Sequence, residues 1–224
     1  GEDMAQIFSA TANSNATIGY ALYGSSTWNK GTSNGACQGA YQNTSANGSR
    51  VGVMIFTGAG AALKGKIIKS IVFSIACSSA GSGSSSKVLT FRKAKQQTFP
   101  SGINGSAMVG DSLGTLTGKF YGNTTTHTLS ASSNSAFFNA LSAYLKAGNS
   151  ALVLYNGEKS SSSTTYSTNY ARITSITITV TYEAATVWYR QNGTWVQCAV
   201  YYRTGGVWVQ VAPYYRSNGS WIQV

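Results

Sequence analysis

Three of the tryptophans near the C-terminus, Trp195, Trp208 and Trp221, each follow an arginine by five residues, Arg190, Arg203 and Arg216, and a fourth, Trp188, lies just ahead of the series. An indole is a flat apolar plate, and a guanidinium is a planar fork of donors. Together they suit two tasks. They can lie against a sugar ring while arginine and glutamine donate hydrogen bonds to it, or they can pack against another subunit. A guanidinium laid over the indole adds ~0.5 to 1 kcal/mol when exposed.

Other chemistry is poorly supplied. Hydrolysing a glycoside takes two carboxyl groups about 5 to 10 Å apart. Beyond Glu2 and Asp3 the acids are Asp111, Glu158 and Glu183, so any pair must be assembled from distant loops. His127 is the only histidine, and a Ser-His-Asp site would have to combine it with Asp111 or Glu158 and a serine. The plainer reading is a structural or surface histidine in a threonine-rich strand. Cys37, Cys77 and Cys198 are odd in number, widely spaced and without a Cys-x-x-Cys pair, so they read as small buried hydrophobes rather than as zinc or redox ligands. Calcium held by Asp111, Glu158 and carbonyls would be without a motif. The reading is therefore a non-enzymatic chain with no metal and no cofactor.

The arginine and tryptophan series belongs to a repeat. Residues 187–199, 200–212 and 213–224 read VWYRQNGTWVQCA, VYYRTGGVWVQVA and PYYRSNGSWIQV, a period of 13 residues. Asn-Gly or Gly-Gly between two strand-like runs is the strongest short signal for a two-residue hairpin. With the turn at Asn192 and Gly193, Gln191 faces Thr194, Arg190 faces Trp195, Tyr189 faces Val196, and Trp188 faces Gln197. Opposed side chains share a face. One face carries Trp188, Arg190, Trp195 and Gln197, then Tyr201, Arg203, Trp208 and Gln210, then Tyr214, Arg216, Trp221 and Gln223; these twelve are the candidate carbohydrate or interface contacts. The other face, with Tyr189, Val196 and Cys198 and their equivalents, reads as an apolar core surface. An isolated hairpin is marginal in water, so three in tandem must bury that face against each other, the main domain or a neighbouring chain.

Upstream the pattern is that of strands and turns. The runs 17–23, 51–57, 67–77, 87–93, 151–155 and 172–182 read as strands; Ile71, Phe73, Ile75 and Cys77 alternate on one side of the third, and Ile176, Ile178, Val180 and Tyr182 on one side of the last. Two short strands flank a turn at Gly122 and Asn123. The first fifty residues otherwise read as polar loop, and the segments 80–86 and 156–169 as exposed connections. One helix is expected, with Phe137, Phe138, Leu141, Tyr144 and Leu145 on one face, Ser133 or Asn134 as N-cap, and Gly148 as left-handed stop.

Charged residues make up only 9% of the chain, too few to coat helices, which points to an all-β protein. The formal charge of +11 raises nucleic acid as a partner. Yet Lys64, Lys66 and Lys69 flank one strand and Lys87, Arg92, Lys93 and Lys95 another, which reads as a solvated sheet face. An anionic cell-wall polymer suits the charge as well as DNA does. The N-terminus has neither a basic nor an apolar signal region, Met4 reads as a native start, and no run approaches the ~20 apolar residues of a membrane span.

The Tyr-Tyr-Arg-x-(Asn/Gly)-Gly-x-Trp-(Val/Ile)-Gln copies resemble short aromatic repeats at the ends of tail-associated and other virion proteins of bacteriophages and prophages. The segments VGVMIFTGAGAALKGKIIKSIVFSI, SSSKVLTFRKA, ALVLYNGE and NYARITSITITVTYE are similar to the carbohydrate-binding-module-like jelly rolls of such proteins. The resemblance implies an all-β fold: a jelly-roll-like β-sandwich with one short helix over 1–183, then three tandem hairpins over 187–224. It implies a virion structural or adhesion protein, assembled in the host cytoplasm and acting at the cell surface. Its partners would be a host glycan or anionic cell-wall polymer and other virion proteins, with a homotrimer among the assemblies, and neither nucleic acid nor membrane. Two alternatives stand beside it: a purely structural head-decoration or fibre subunit whose repeats mediate oligomerisation, and a secreted bacterial carbohydrate-binding module.

Overall fold

The computed structural model describes residues 5–12, 16–21, 28–31, 35–42, 47–81, 83–98, 105–158, 165–183, 187–198, 200–211, 214–217 and 220–223. Five strands open the chain: β1 (Gln6–Thr11), β2 (Ala16–Ala21), β3 (Trp28–Gly31), β4 (Ala36–Gln42) and β5 (Asn47–Ile55). A short helix α1 (Ala59–Leu63) leads to β6 (Ile67–Cys77) and β7 (Lys87–Ala94), and a 3-10 turn at Gly105–Met108 leads to β8 (Val109–Gly118) and β9 (Thr124–Ser130). Then come α2 (Ser135–Lys146), β10 (Ala151–Leu154), β11 (Thr165–Tyr166) and β12 (Ala171–Glu183). The protein is all-β in class, with most of its strands in one antiparallel array.

The strand order is β8-β7-β10-β5-β4-β12-β6-β9, with β1 added to β12, β11 to β4, and β2 and β3 beside β5. β4 joins the two halves of the sandwich. Its residues Ala36–Gln38 pair with β12, whereas Gly39–Gln42 pair with β5. Gly39 sits at this crossing with φ +85°, and a Cβ there would come within 2.7 Å of the Tyr170 Cα. Only glycine satisfies both demands.

The core follows from alternation. Ile71, Phe73 and Ile75 on β6 and Ile176, Ile178 and Val180 on β12 are fully buried. A shift of register between Ile173 and Ser175 lets Ile173 and Ile176 share the core side. Phe73 meets Phe91 of β7 across the sandwich at 5.1 Å between ring centres, and Phe137 of α2 meets Phe91 at 5.4 Å. β10 is buried on both faces: Leu152 and Leu154 enter the main core, while Ala151 and Val153 join Val51, Val53, Ala94 and Met108 in a second cluster. That explains why ALVL reads as a continuous apolar run.

Helix α2 packs on β8 and β9 at the two ends of the strand order. It buries Phe137, Phe138, Leu141, Tyr144 and Leu145, as its periodicity predicts. Asn134 stands at the N-cap, but without the expected side-chain cap. Its φ is +49° and its amide Nδ2 donates instead to the Thr115 carbonyl at 3.0 Å. Gly148 is left-handed at φ +98°, the expected stop.

Several expectations need correction. β1, β3 and β4 occupy a region read largely as loop, because small residues such as Ala36, Gly39 and Ala40 leave no hydrophobic alternation to see. β11 lies inside the segment read as exposed connection, and α1 is a second helix too short for a periodic signal. The two strands expected around Gly122 are present as β8 and β9, which pair with β7 and β6 respectively. Lys87 is buried rather than solvated, and desolvation holds its ammonium pKa below the usual lysine value.

The repeats form three two-stranded hairpins: β13 (Val187–Gln191) with β14 (Thr194–Cys198), β15 (Val200–Thr204) with β16 (Val207–Val211), and β17 (Tyr214–Ser217) with β18 (Ser220–Gln223). Their registers are those the spacing predicts, including Arg190 opposite Trp195, Arg203 opposite Trp208 and Arg216 opposite Trp221. Asn192 and Gly193 have φ of +47° and +82°, and Gly205 and Gly206 +55° and +80°, the positive pair a primed turn requires. Residues 1–4, Met4 among them, and the junction residues 184–186 lie outside the described residues.

Candidate functional site

Of the twelve hairpin candidates, the described side chains are Arg190, Tyr201, Arg203 and Trp208. Trp188, Trp195, Gln197, Gln210, Tyr214, Arg216, Trp221 and Gln223 have their strand registers placed, but their side chains lie outside the described residues. On the middle hairpin Trp208 is 65% exposed and Tyr201 52%. The opposite face is open too, with Tyr202 51% and Val209 38% exposed. In the single chain, then, Tyr202 and Val209 on the face read as apolar core surface are open. Arg203 lies opposite Trp208 in register without a ring contact between them. A fully hydrated guanidinium gains too little from the indole to be held there. Arg190 instead points its Nε toward the Gly193 carbonyl, at 3.5 Å.

A denser aromatic and cationic cluster sits where β4 crosses between the sheets. Tyr41 on β4 and Tyr166 on β11 are directly opposite in register and stack at 4.3 Å. Tyr170, in the turn before β12, tilts against Tyr166 at 4.6 Å and against Tyr41 at 6.4 Å. Arg172 on β12 and Arg50 on β5 act electrostatically on both Tyr166 and Tyr170. Burial pushes both phenols above the usual tyrosine value, so they remain neutral hydrogen-bond donors at physiological pH. Tyr170 is buried and directs its hydroxyl to the Cys37 sulfur at 3.8 Å, while Tyr41 and Tyr166 stay half-buried. Packing alone would sink all three rings. Here one ring is buried, and the other two residues are only partly so.

A polar scaffold holds this cluster. Glu158 accepts hydrogen bonds from the Ser167 hydroxyl at 2.5 Å, the Asn169 backbone N–H at 3.1 Å and the Asn169 side-chain amide at 2.6 Å. The Ala40 N–H donates to Ser167 Oγ at 2.8 Å, and Ser167 N–H donates to the Ala40 carbonyl at 2.9 Å. The turn carrying Tyr166 and Tyr170 is thus clamped onto β4. Gln38, fully buried, donates to the carbonyls of Val88 and Asn169 and accepts from the Thr90 N–H, completing the edge of β7 where no strand pairs with it. Sequence reading missed the cluster. Its members lie on four strands and a turn, and the only available signal was the density of Tyr166 and Tyr170 beside a serine-rich loop.

The remaining candidates separate. Asp111 pairs with Lys93 at 3.6 Å on β8, with its side chain 88% exposed, and Glu183 pairs with Lys69 at 2.8 Å. Two Gly-x-Ser-x-Gly pentapeptides occur, at 31–35 and 110–114. The first lies partly outside the described residues, and the second runs within β8 rather than at a strand-to-helix elbow. His127 packs against Phe120 at 5.4 Å and would touch a Cβ at Gly118. That is six residues along β8 from Ser112, roughly 20 Å, so His127 and Ser112 do not form a dyad. Cys37 and Cys77 are buried free thiols, as expected, and burial followed by the neighbouring Cys37 pushes Cys77 up to about 12. The Cys198 side chain lies outside the described residues. A groove of about 450 Å³ between α2 and β7–β8 is lined by Lys93, Ser112, Asn149, three alanines and Tyr144, whose hydroxyl donates to the Ala151 carbonyl at 2.8 Å.

Among the described residues no group of three or more histidine, cysteine or acidic side chains is placed to hold a metal ion, and no helix is long and apolar enough to cross a membrane. No protein-family model matches this chain, and neither does any curated protein sequence.

Proposed function

We propose that this chain is a phage virion-surface protein that binds host-surface carbohydrate through its sandwich domain. The observation that carries the proposal is the cluster of Tyr41, Tyr166 and Tyr170 with Arg50 and Arg172. Aromatic edges for sugar rings, neutral phenols and fixed guanidiniums form the combination that saccharide recognition uses. The virion setting rests on the resemblance of the C-terminal repeats. A glycan array probed with the full chain and with Tyr166→Ala tests the reading. Binding by wild type that is lost in a folded Tyr166→Ala protein supports it, and binding unchanged by that substitution removes the cluster from it.

A second reading, a structural subunit assembled through its repeats, is favoured by the middle hairpin, which is exposed on both faces and, among the described residues, pairs only with itself. Hairpins of that kind gain stability from a partner surface. Light scattering on the full chain and on a truncation ending at Glu183 tests it: an oligomer that becomes a monomer on truncation supports assembly, and two monomers oppose it.

A further inference from the structure

We infer that Lys87 and Asn169 react with each other inside the folded sandwich: the Lys87 Nζ displaces ammonia from the Asn169 side-chain amide and leaves an isopeptide bond, with Glu158 as the proton carrier. The inference is independent of the glycan reading.

Lys87 opens β7 and is fully buried, on the same side of the strand as Leu89 and Phe91. Burial works against its ammonium form, and the charge of Glu158 acts on it in the opposite sense. A desolvated lysine amine is a nucleophile toward carbonyl carbon. Asn169 lies against the very next residue of β7. Its Oδ1 accepts from the Val88 N–H at 2.8 Å, and its Nδ2 donates to Glu158 Oε1 at 2.6 Å. Its backbone is held as well, the N–H by Glu158 Oε2 at 3.1 Å and the carbonyl by Gln38 Nε2 at 3.1 Å. Both ends of the amide are therefore fixed, and these hydrogen bonds are those of the reactants. As Nζ adds to Cγ, the charge developing on Oδ1 meets the Val88 N–H, the service an oxyanion hole performs. The lysine ammonium gives up two protons through the Glu158 carboxylate, and Nδ2 departs with them as ammonium. One C–N bond forms and one breaks, so nothing is oxidised or reduced. Holding the two groups in one rigid site supplies the rate advantage of an intramolecular reaction. The bond would fasten the turn carrying Tyr170 to β7, along an edge that the Gln38 and Asn169 side chains complete.

Mass spectrometry of the denatured full chain, followed by tryptic mapping, tests the inference. Wild type should be about 17 Da lighter than its sequence requires, the mass of one ammonia. Trypsin should fail at Lys87 and release residues 70–92 joined to residues 160–172 as one branched peptide. Lys87→Arg keeps the charge but removes the amine, so it should restore the full mass and free residues 160–172. Glu158→Gln should stay at full mass in most molecules after wild type has reacted to completion. Full mass in folded wild type overturns the inference. So does a loss that persists in Lys87→Arg, as a succinimide at an Asn-Gly pair would give. Complete reaction in folded Glu158→Gln overturns the role given to the carboxylate. If the variants fail to fold, the presence or absence of the branched peptide in wild type decides.

Discussion

Replacing Glu158 by alanine should loosen the turn that carries Tyr166 and Tyr170. The carboxylate accepts three hydrogen bonds, from the Ser167 hydroxyl and from the backbone and side chain of Asn169. Hydrogen bonds to a charged acceptor contribute about 1.5 to 3 kcal/mol each, but Glu158 is only half-buried and water can replace part of what is lost. Taking the low end for two of the three gives a destabilisation of about 3 kcal/mol. For a chain of this size that corresponds to a fall in melting temperature of roughly 6 to 12 °C. Glu158→Gln keeps one acceptor oxygen and should cost about half as much. Thermal unfolding followed by circular dichroism reads the stability, and amide exchange reads the turn. The Ser167–Tyr170 amides should exchange faster than those of β6, which pairs with β9 and β12. A melting temperature within about 2 °C of wild type, with Ser167–Tyr170 exchange unchanged, would refute the clamp.

Other substitutions probe the frame. Gly39→Ala forces a Cβ onto the Tyr170 backbone at a left-handed φ, so the melting temperature should drop and the tyrosine fluorescence of the cluster should change; a variant as stable as wild type would deny that Gly39 is required at the crossing. Phe73→Ala removes a ring in contact with Phe91 and Phe137 and should cost about 3 to 5 kcal/mol in denaturant titration, with a loss under about 1 kcal/mol counting against the core as described. Burial lowers the His127 pKa below its unfolded value, so the unfolded chain binds more protons just below pH 6.5 and this stabilising contribution falls as pH drops through that range. His127→Gln should flatten the wild-type fall in stability there by at most one proton's linkage, and an identical slope in both proteins would show that His127 is not its source. Trp208→Ala, at an exposed position, should change stability by no more than about 0.5 kcal/mol, and a larger loss would mean the indole is covered in solution.

The readable parts of the fold were those in which each element carries its own periodicity. β6 and β12 alternate, α2 repeats its apolar face, and the hairpins announce their turns with Asn-Gly and Gly-Gly, so that even the cross-strand partners followed. What escaped was set by distant contacts. β4 is built of small residues whose pairing is fixed by Gly39, β12 and β5, and Gln38 acts as a stand-in strand for β7. The cluster is legible only after folding, because Tyr41, Arg50, Tyr166 and Arg172 meet through register rather than sequence spacing. The conspicuous arginine and tryptophan pattern of the repeats marks a surface of which only Arg190, Tyr201, Arg203 and Trp208 have described side chains.

The central claim is that the sandwich, through its tyrosine and arginine cluster, is the saccharide-binding part of the chain. Amide chemical-shift mapping of the full chain titrated with a soluble host cell-wall glycan fraction tests it most directly. The account predicts the largest perturbations at Tyr41, Arg50, Tyr166, Tyr170 and Arg172. Perturbations confined to residues 187–224, or none in any part of the chain, would contradict it.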